Sequence, residues 1–509
     1  MNYKEMNCLS NRSSASYIFI ASFIVSLLSS MIVYGFELTH FTLSIDEEFN
    51  DNILHTISMG RWGHALLKTL ILPEPFVPFF TTLISLIALS LSSAVIVKSL
   101  KLDFKTALFF SILYIALPQF AYQLQFTNQS DTLAISILTS SLVVYFTFNY
   151  NSFISSIALP TLLYAFSISI YQSIVLMPVT LYFSHLAISY MRNDVSPANM
   201  KNTVKLIINS VSAVVLYSII TRVVQNYYGV SSDSYFLNLI GWLHADFSDT
   251  LHSTFQFILT YFTFNAPYGL NTFSLSSLIV IAFIAKIFIK NKKWKIQITV
   301  LAMLIVASSF IFNIIVGGYL AARAMTSLPL SFAIISSMLF IETKRKNVLF
   351  IFPVVILLCG TAASSKLFYS DYLSYNRDYR LASNISADIE RTQNVNLSAP
   401  TKIYFFGGLD LQPMNKLQNS DMFSSSFLNW DGGNSARITA FMQSQELANI
   451  VPVLYSDLAA YREEIKTAPV WPKKGGIMNL NGIIVVKLGN NPGNCINGIY
   501  KNIDSSRCR

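Results

Sequence analysis

Residues 17–36 read YIFIASFIVSLLSSMIVYGF, an uncharged run. A helix needs about 20 apolar residues to cross the hydrocarbon of a bilayer. The run is long enough and lacks a small-residue cleavage site, so it reads as a first transmembrane helix rather than a removable signal peptide. Ten further apolar stretches follow, near 76–97, 106–122, 132–148, 153–170, 173–190, 204–224, 273–289, 296–316, 324–341 and 347–363. The pair around Tyr171 is joined almost without a loop, so it could also be one re-entrant feature. Composition agrees: of 509 residues, 53% are hydrophobic and 12% charged, and the mean hydropathy is +0.49, outside the range of a soluble globular protein. The expected fold is an all-α polytopic membrane domain over 1–363 with about 11 transmembrane helices, then an α/β or α+β soluble domain over 364–509.

The formal net charge of +9 could suggest nucleic acid. The basic residues instead form short clusters between spans: Lys98, Lys101 and Lys105; Arg192, Lys201 and Lys205; Lys290, Lys292, Lys293 and Lys295; Lys344, Arg345 and Lys346. These are topology signals, and nucleic acid is not an expected partner. With a cytoplasmic N-terminus they all face inward, and of the loop cations Arg61, Lys68 and Arg323 face outward. The chain is thus expected in a bacterial inner membrane, with the C-terminal domain on the periplasmic side. In that domain KIYFFG (402–407) and GIIVVKL (482–488) read as strands. Cys495 and Cys508 lie close together there and are expected to form a disulfide, which an oxidising compartment permits; two unpaired thiols are the alternative.

The chemistry-bearing segment follows the first span. Ser44-Ile45-Asp46-Glu47-Glu48-Phe49-Asn50-Asp51 holds four carboxylates, and Gly60-Arg61-Trp62-Gly63-His64 comes soon after. A partly desolvated carboxylate gains basicity and can accept a hydroxyl proton. A solvated acidic loop is the plainer account. Arg61 can bind phosphate oxygens in a bidentate manner or serve as an interfacial anchor beside Trp62. The apolar spacing of Trp62 to Leu72 suits a helix lying along the membrane surface. Asp131, Tyr171 and Gln172 are expected at outer loops, where they could hydrogen-bond a sugar or be ordinary loop residues. Arg323 is a candidate second phosphate clamp. No metal-ligand spacing and no phosphate loop occurs in the sequence.

A first span, an outer Asp-Glu, then Gly-Arg-Trp and many more spans resemble the Gtr-type serotype-converting glucosyltransferases of bacterial O-antigen, within the GT-C class. The resemblance covers roughly residues 15–345, and Asp46-Glu47, Gly60-Arg61-Trp62 and Tyr171-Gln172 carry it. It implies transfer of glucose from undecaprenyl phosphate glucose to a sugar of a polysaccharide acceptor, with inversion at the anomeric carbon. Asp46 or Glu47 would be the base, and Arg61 with Arg323 would hold the leaving phosphate. Glu48, Trp62, Asp131, Tyr171 and Gln172 would bind substrate. A divalent cation stays open as a cofactor, and a donor synthase and a flippase stay open as partners beside the lipid bilayer. Two other functions also fit eleven spans: a lipid-linked polysaccharide polymerase, and a transporter or flippase. A transporter usually places ionisable groups within spans near the midplane, whereas the charges noted within spans here, Arg222 and Lys286, lie near helix ends.

Overall fold

A computed structural model describes residues 3–49, 52–74, 76–194, 197–233, 240–411 and 415–492. Asp51, Cys495 and Cys508 lie outside the described residues, and the expected disulfide with them. The chain forms two compact units. One comprises Met1–Thr39 and Thr56–Lys366; the other comprises His40–His55 and Leu367–Arg509.

The first unit is helical. Among the described residues, seven helices are long and apolar enough to cross a membrane: Ala15–Thr39, Pro78–Ser99, Thr127–Asn149, Gln172–Met191, Met200–Tyr228, Leu270–Ile289 and one within Lys346–Gln393. Seven is fewer than the expected number of about eleven. The shorter apolar helices are Phe104–Ala116, Ile154–Ile170, Lys295–Ser308 and Leu328–Ile341. Proline accounts for part of the shortening. The helix capped by Asp103 stops at Ala116, because a residue before proline avoids the helical region, and Leu117, ahead of Pro118, turns to ψ 120°. Leu328–Ile341 starts late with Pro329 in its first turn, where proline fits. At Tyr171 the chain becomes extended, with φ −151°, and separates two helical segments.

Hydroxyls hold the centre of this unit. Ser26 Oγ donates to Ser93 Oγ over 2.8 Å, Ser92 and Ser141 share a 2.8 Å bond, and Ser85 Oγ donates to Ser130 Oγ over 3.2 Å. Helix Pro78–Ser99 is thereby bonded to the first helix on one side and to Thr127–Asn149 on the other. Small residues let apolar helices approach closely, and their hydroxyls pair where water is absent. Helix Pro197–Tyr228 is the opposite case. Its Ile207, Val211, Val215, Ile219 and Val223 are exposed, an aliphatic face that acyl chains can solvate.

One ion pair lies deep in this packing. Lys68 Nζ is 2.9 Å from Asp131 Oδ2, with both side chains at most 1% exposed.

The second unit contains a four-stranded sheet: β1 (Thr401–Phe406), β2 (Ile450–Pro452), β3 (Ile477–Leu480) and β4 (Ile483–Lys487), in the order β2-β1-β4-β3. β1 runs parallel to β2 and β4, and β3 runs antiparallel to β4. The two strands read from the sequence are β1 and β4. Tyr404, Phe406, Tyr455, Leu458, Ile465, Leu480 and Val485 form its core. Helix Ser435–Ser444 connects β1 to β2, and its Phe441 ring stacks on Phe427 at 4.3 Å. The latter half of the long helix Ile351–Gln393 belongs to this unit and anchors the loop before helix Ser435–Ser444. Asp371 Oδ1 accepts from Ser424 N at 2.8 Å, and Asp378 Oδ2 accepts from Phe427 N at 2.7 Å.

Removing one member of a buried pair strands the other charge, at a cost of about 3–5 kcal/mol. Lys68→Met is therefore expected to lower the thermal unfolding temperature of detergent-purified protein sharply, and Lys68→Met with Asp131→Leu to recover most of the loss. A double variant as unstable as the single one would count against this account.

Candidate functional site

The residues named from the sequence are divided between the two units. In the second unit, the acidic segment closes a tight turn. Glu47 N donates to Ser44 O over 3.1 Å, and Ser44 N donates back to Glu47 Oε2 over 2.8 Å. Asp46, at the tip, is held at φ +81°. A non-glycine residue in that region costs on the order of 1–3 kcal/mol and persists where its surroundings over-determine it. They do so here. Ser44 Oγ donates to Asp371 Oδ2 over 3.0 Å, and the His40 and Phe41 rings pack on Tyr372 and Tyr375 at 5.4 and 6.4 Å.

The carboxylates converge on a residue far away in sequence. Arg437, in the first turn of helix Ser435–Ser444 and 2% exposed, donates through Nη2 to Asp46 Oδ1 at 3.0 Å and through Nη1 to Glu48 Oε1. Its Nε and Nη2 also reach Asp431 Oδ2, at 3.2 and 3.0 Å. The guanidinium stands over the Phe49 ring at 5.5 Å, and the Asn434 side chain caps the helix by accepting from Arg437 N at 3.1 Å.

One guanidinium cannot neutralise three carboxylates, so the most buried of them is the one that keeps its proton. Burial pushes Glu48 up to about 8, against the pull of Arg437 and with the help of the Asp46 charge. Its second oxygen, Oε2, is buried and has no hydrogen-bond partner. Glu47 is buried and spends a carboxylate oxygen on the turn, whereas the Asp46 side chain is 60% exposed. Among the described residues, no three His, Cys, Asp or Glu side chains are grouped so as to hold a metal ion.

In the first unit the structure brings Arg61, Tyr171 and Gln172 together. Arg61 occupies the N-cap position of helix Trp62–Leu70, places its guanidinium over the Tyr171 ring at 5.1 Å and donates from Nε to Gln172 Oε1 at 3.4 Å. Gln172 Nε2 in turn donates to Met59 O at 2.8 Å and Tyr217 Oη at 3.3 Å. The glycines of the motif explain themselves. Gly60 has φ +77°, and a Cβ there would stand 2.6 Å from Tyr217 Oη; one on Gly63 would stand 2.1 Å from Ser169 Oγ. The turn and the helix approach that aim Arg61 both require glycine.

Trp62 lies beside Phe166 at 6.4 Å, and its Nε1 is buried without a hydrogen-bond partner. Asp131 lies inside helix Thr127–Asn149 rather than in a loop, with its carboxylate on Lys68 and on the Thr132 N–H. Arg323 belongs to a second cluster: its guanidinium is 5.1 Å from the Phe126 ring, and its carbonyl accepts from Gln123 Nε2 at 2.7 Å.

A family model described as Glucosyl transferase GtrII matches residues 35–341, more than half of the chain. The chain belongs to this family. The GtrII match takes in the acidic segment, Gly60 to Trp62, Tyr171, Gln172 and Arg323, and bears out the expected resemblance. It ends before Arg437. No curated protein and no solved structure matches the chain. Arg437, Asp431 and the Lys68–Asp131 pairing were not foreseen in the sequence. An arginine just after Asp431-Gly432-Gly433-Asn434 was the available signal, and nothing local connects it to residue 46.

Because folding raises Glu48, its contribution is fully present below the ordinary value of 4.5 and is lost as pH rises through about 8. Unfolding scans of the purified protein should show stability falling over that interval, and Glu48→Gln should flatten the slope. An unchanged slope in the variant would place the proton on another group.

Proposed function

We propose that this GtrII-family glucosyl transferase is an inverting enzyme that uses undecaprenyl phosphate glucose and glucosylates O-antigen or a related surface polysaccharide on the periplasmic side. The observation that carries the reading is Asp46: in a turn whose other two described carboxylates are buried, its carboxylate is exposed and clamped. In the reaction, the acceptor hydroxyl oxygen bonds to the anomeric carbon as the bond from that carbon to the phosphate oxygen breaks. Asp46 takes the hydroxyl proton, and undecaprenyl phosphate leaves with the bonding pair. Arg61, oriented by Tyr171 and Gln172, suits the leaving phosphate's charge, with Arg323 as a second cation. Glu48 Oε2 and Trp62 Nε1 are buried and unpartnered, and we assign them to sugar hydroxyls that would reach them when substrate binds.

We read the seven long helices and the four shorter apolar ones together as eleven spans; an odd number puts the two ends of the chain on opposite sides, and we take the N-terminus as cytoplasmic and the C-terminal unit as outside. The asymmetry of the basic clusters supports this orientation.

Loss of a general base lowers a rate about 10²–10⁴-fold. Asp46→Asn is expected to abolish the added hexose in mass spectra of the surface polysaccharide while the protein stays in the membrane. Glu47→Gln, which alters the turn instead, should show its effect in protein level. Normal modification by Asp46→Asn would remove Asp46 from the role. A C-terminal alkaline phosphatase fusion is expected to be active; an inactive one alongside a fluorescent cytoplasmic fusion would reverse the orientation.

A further inference from the structure

The GtrII match stops at Ile341, yet the acidic segment within it is completed by a residue outside it. Arg437 is held from several directions: the Asn434 cap fixes its backbone, Asp431 takes Nε and Nη2, and Phe49 underlies the guanidinium. What remains of its fork reaches Asp46 and Glu48. The planar guanidinium presents its donors at fixed angles, unlike a lysine ammonium. It therefore fixes the direction of the Asp46 carboxylate as well as supplying a charge. Asp46 is otherwise an exposed side chain on a left-handed turn residue, free to take several rotamers.

We propose that Arg437 is the positioning residue for Asp46, so that the C-terminal unit takes part in glycosyl transfer by aiming the base. The inference rests on Asp46 being that base. Among the described residues, the charged groups around Asp46 are Arg437, Glu48 and Asp431, with Glu47 adjacent in the turn and Asp371 reached through Ser44. Arg437 is the cation among them, and it bonds two of the carboxylates besides Asp46. Misplacing a reacting group by about 1 Å can cost about 10²-fold in rate, without a matching loss of donor binding.

The test measures kcat and KM for the lipid-linked glucose donor in membranes containing the full chain, normalised to inserted protein. Arg437→Gln is expected to lower kcat about 10–100-fold with KM within about 2-fold of wild type. Arg437→Lys, which keeps the charge but loses the fork, should fall between the two. A wild-type kcat for Arg437→Gln, or a loss confined to KM, would overturn the role. Should Arg437→Gln fail to accumulate, Arg437→Lys decides: a lower kcat at unchanged KM supports the role, and a wild-type kcat overturns it. Asp46→Asn separates the two readings. If it keeps its rate, the base assignment fails whatever Arg437 does. If it is inactive while Arg437→Gln is normal, the base stands and the positioning role falls.

Discussion

The second unit is organised around a charge imbalance. Asp46, Glu48 and Asp431 meet a single guanidinium, and the unit resolves the mismatch by burying Glu48 where its neutral form is favoured and leaving Asp46 at the surface. The strained φ of Asp46, the Ser44–Glu47 turn and the bonds from Asp371 all follow from holding three acids at one place. A segment with four carboxylates could have been a solvated loop. Its position is instead dictated by helix Ser435–Ser444, nearly four hundred residues downstream.

In the first unit the constraint is the absence of water. Serine hydroxyls find each other between helices, Lys68 finds Asp131, and the Gln172 amide uses its acceptor on Arg61 and its donors on Met59 and Tyr217. The Arg61 guanidinium lies over Tyr171 and is bonded to the Gln172 amide, which fixes where its charge sits. The apolar environment that makes unpaired groups costly also strengthens any charge that a phosphate would meet.

Much of this was legible in the sequence because lipid solvation leaves a strong signal. The apolar runs marked the helices, and the alternation of charge with Gly and Pro after residue 363 marked the change of composition. KIYFFG and GIIVVKL are β1 and β4. Helix ends were harder to see, since Pro118 and Pro329 shorten stretches whose hydropathy continues past them. Arg61, Tyr171 and Gln172 were each legible by type, and the structure adds that they touch. The polar neighbours Asn128 and Gln129 make Asp131 read as a loop residue, whereas they form the first turn of a helix. Arg437 was hidden for a different reason: pairing between distant residues leaves no local pattern.

The clamp also bears on how such a protein can diverge. Residues 40–55 are continuous with the membrane helices in the gene but belong to the C-terminal unit in three dimensions. A recombination event that exchanges the region after the last span would therefore part Arg437 from the acids it serves and leave them uncompensated. The acidic segment and helix Ser435–Ser444 form one heritable module written in two places, and a viable chimera has to carry both halves from the same parent.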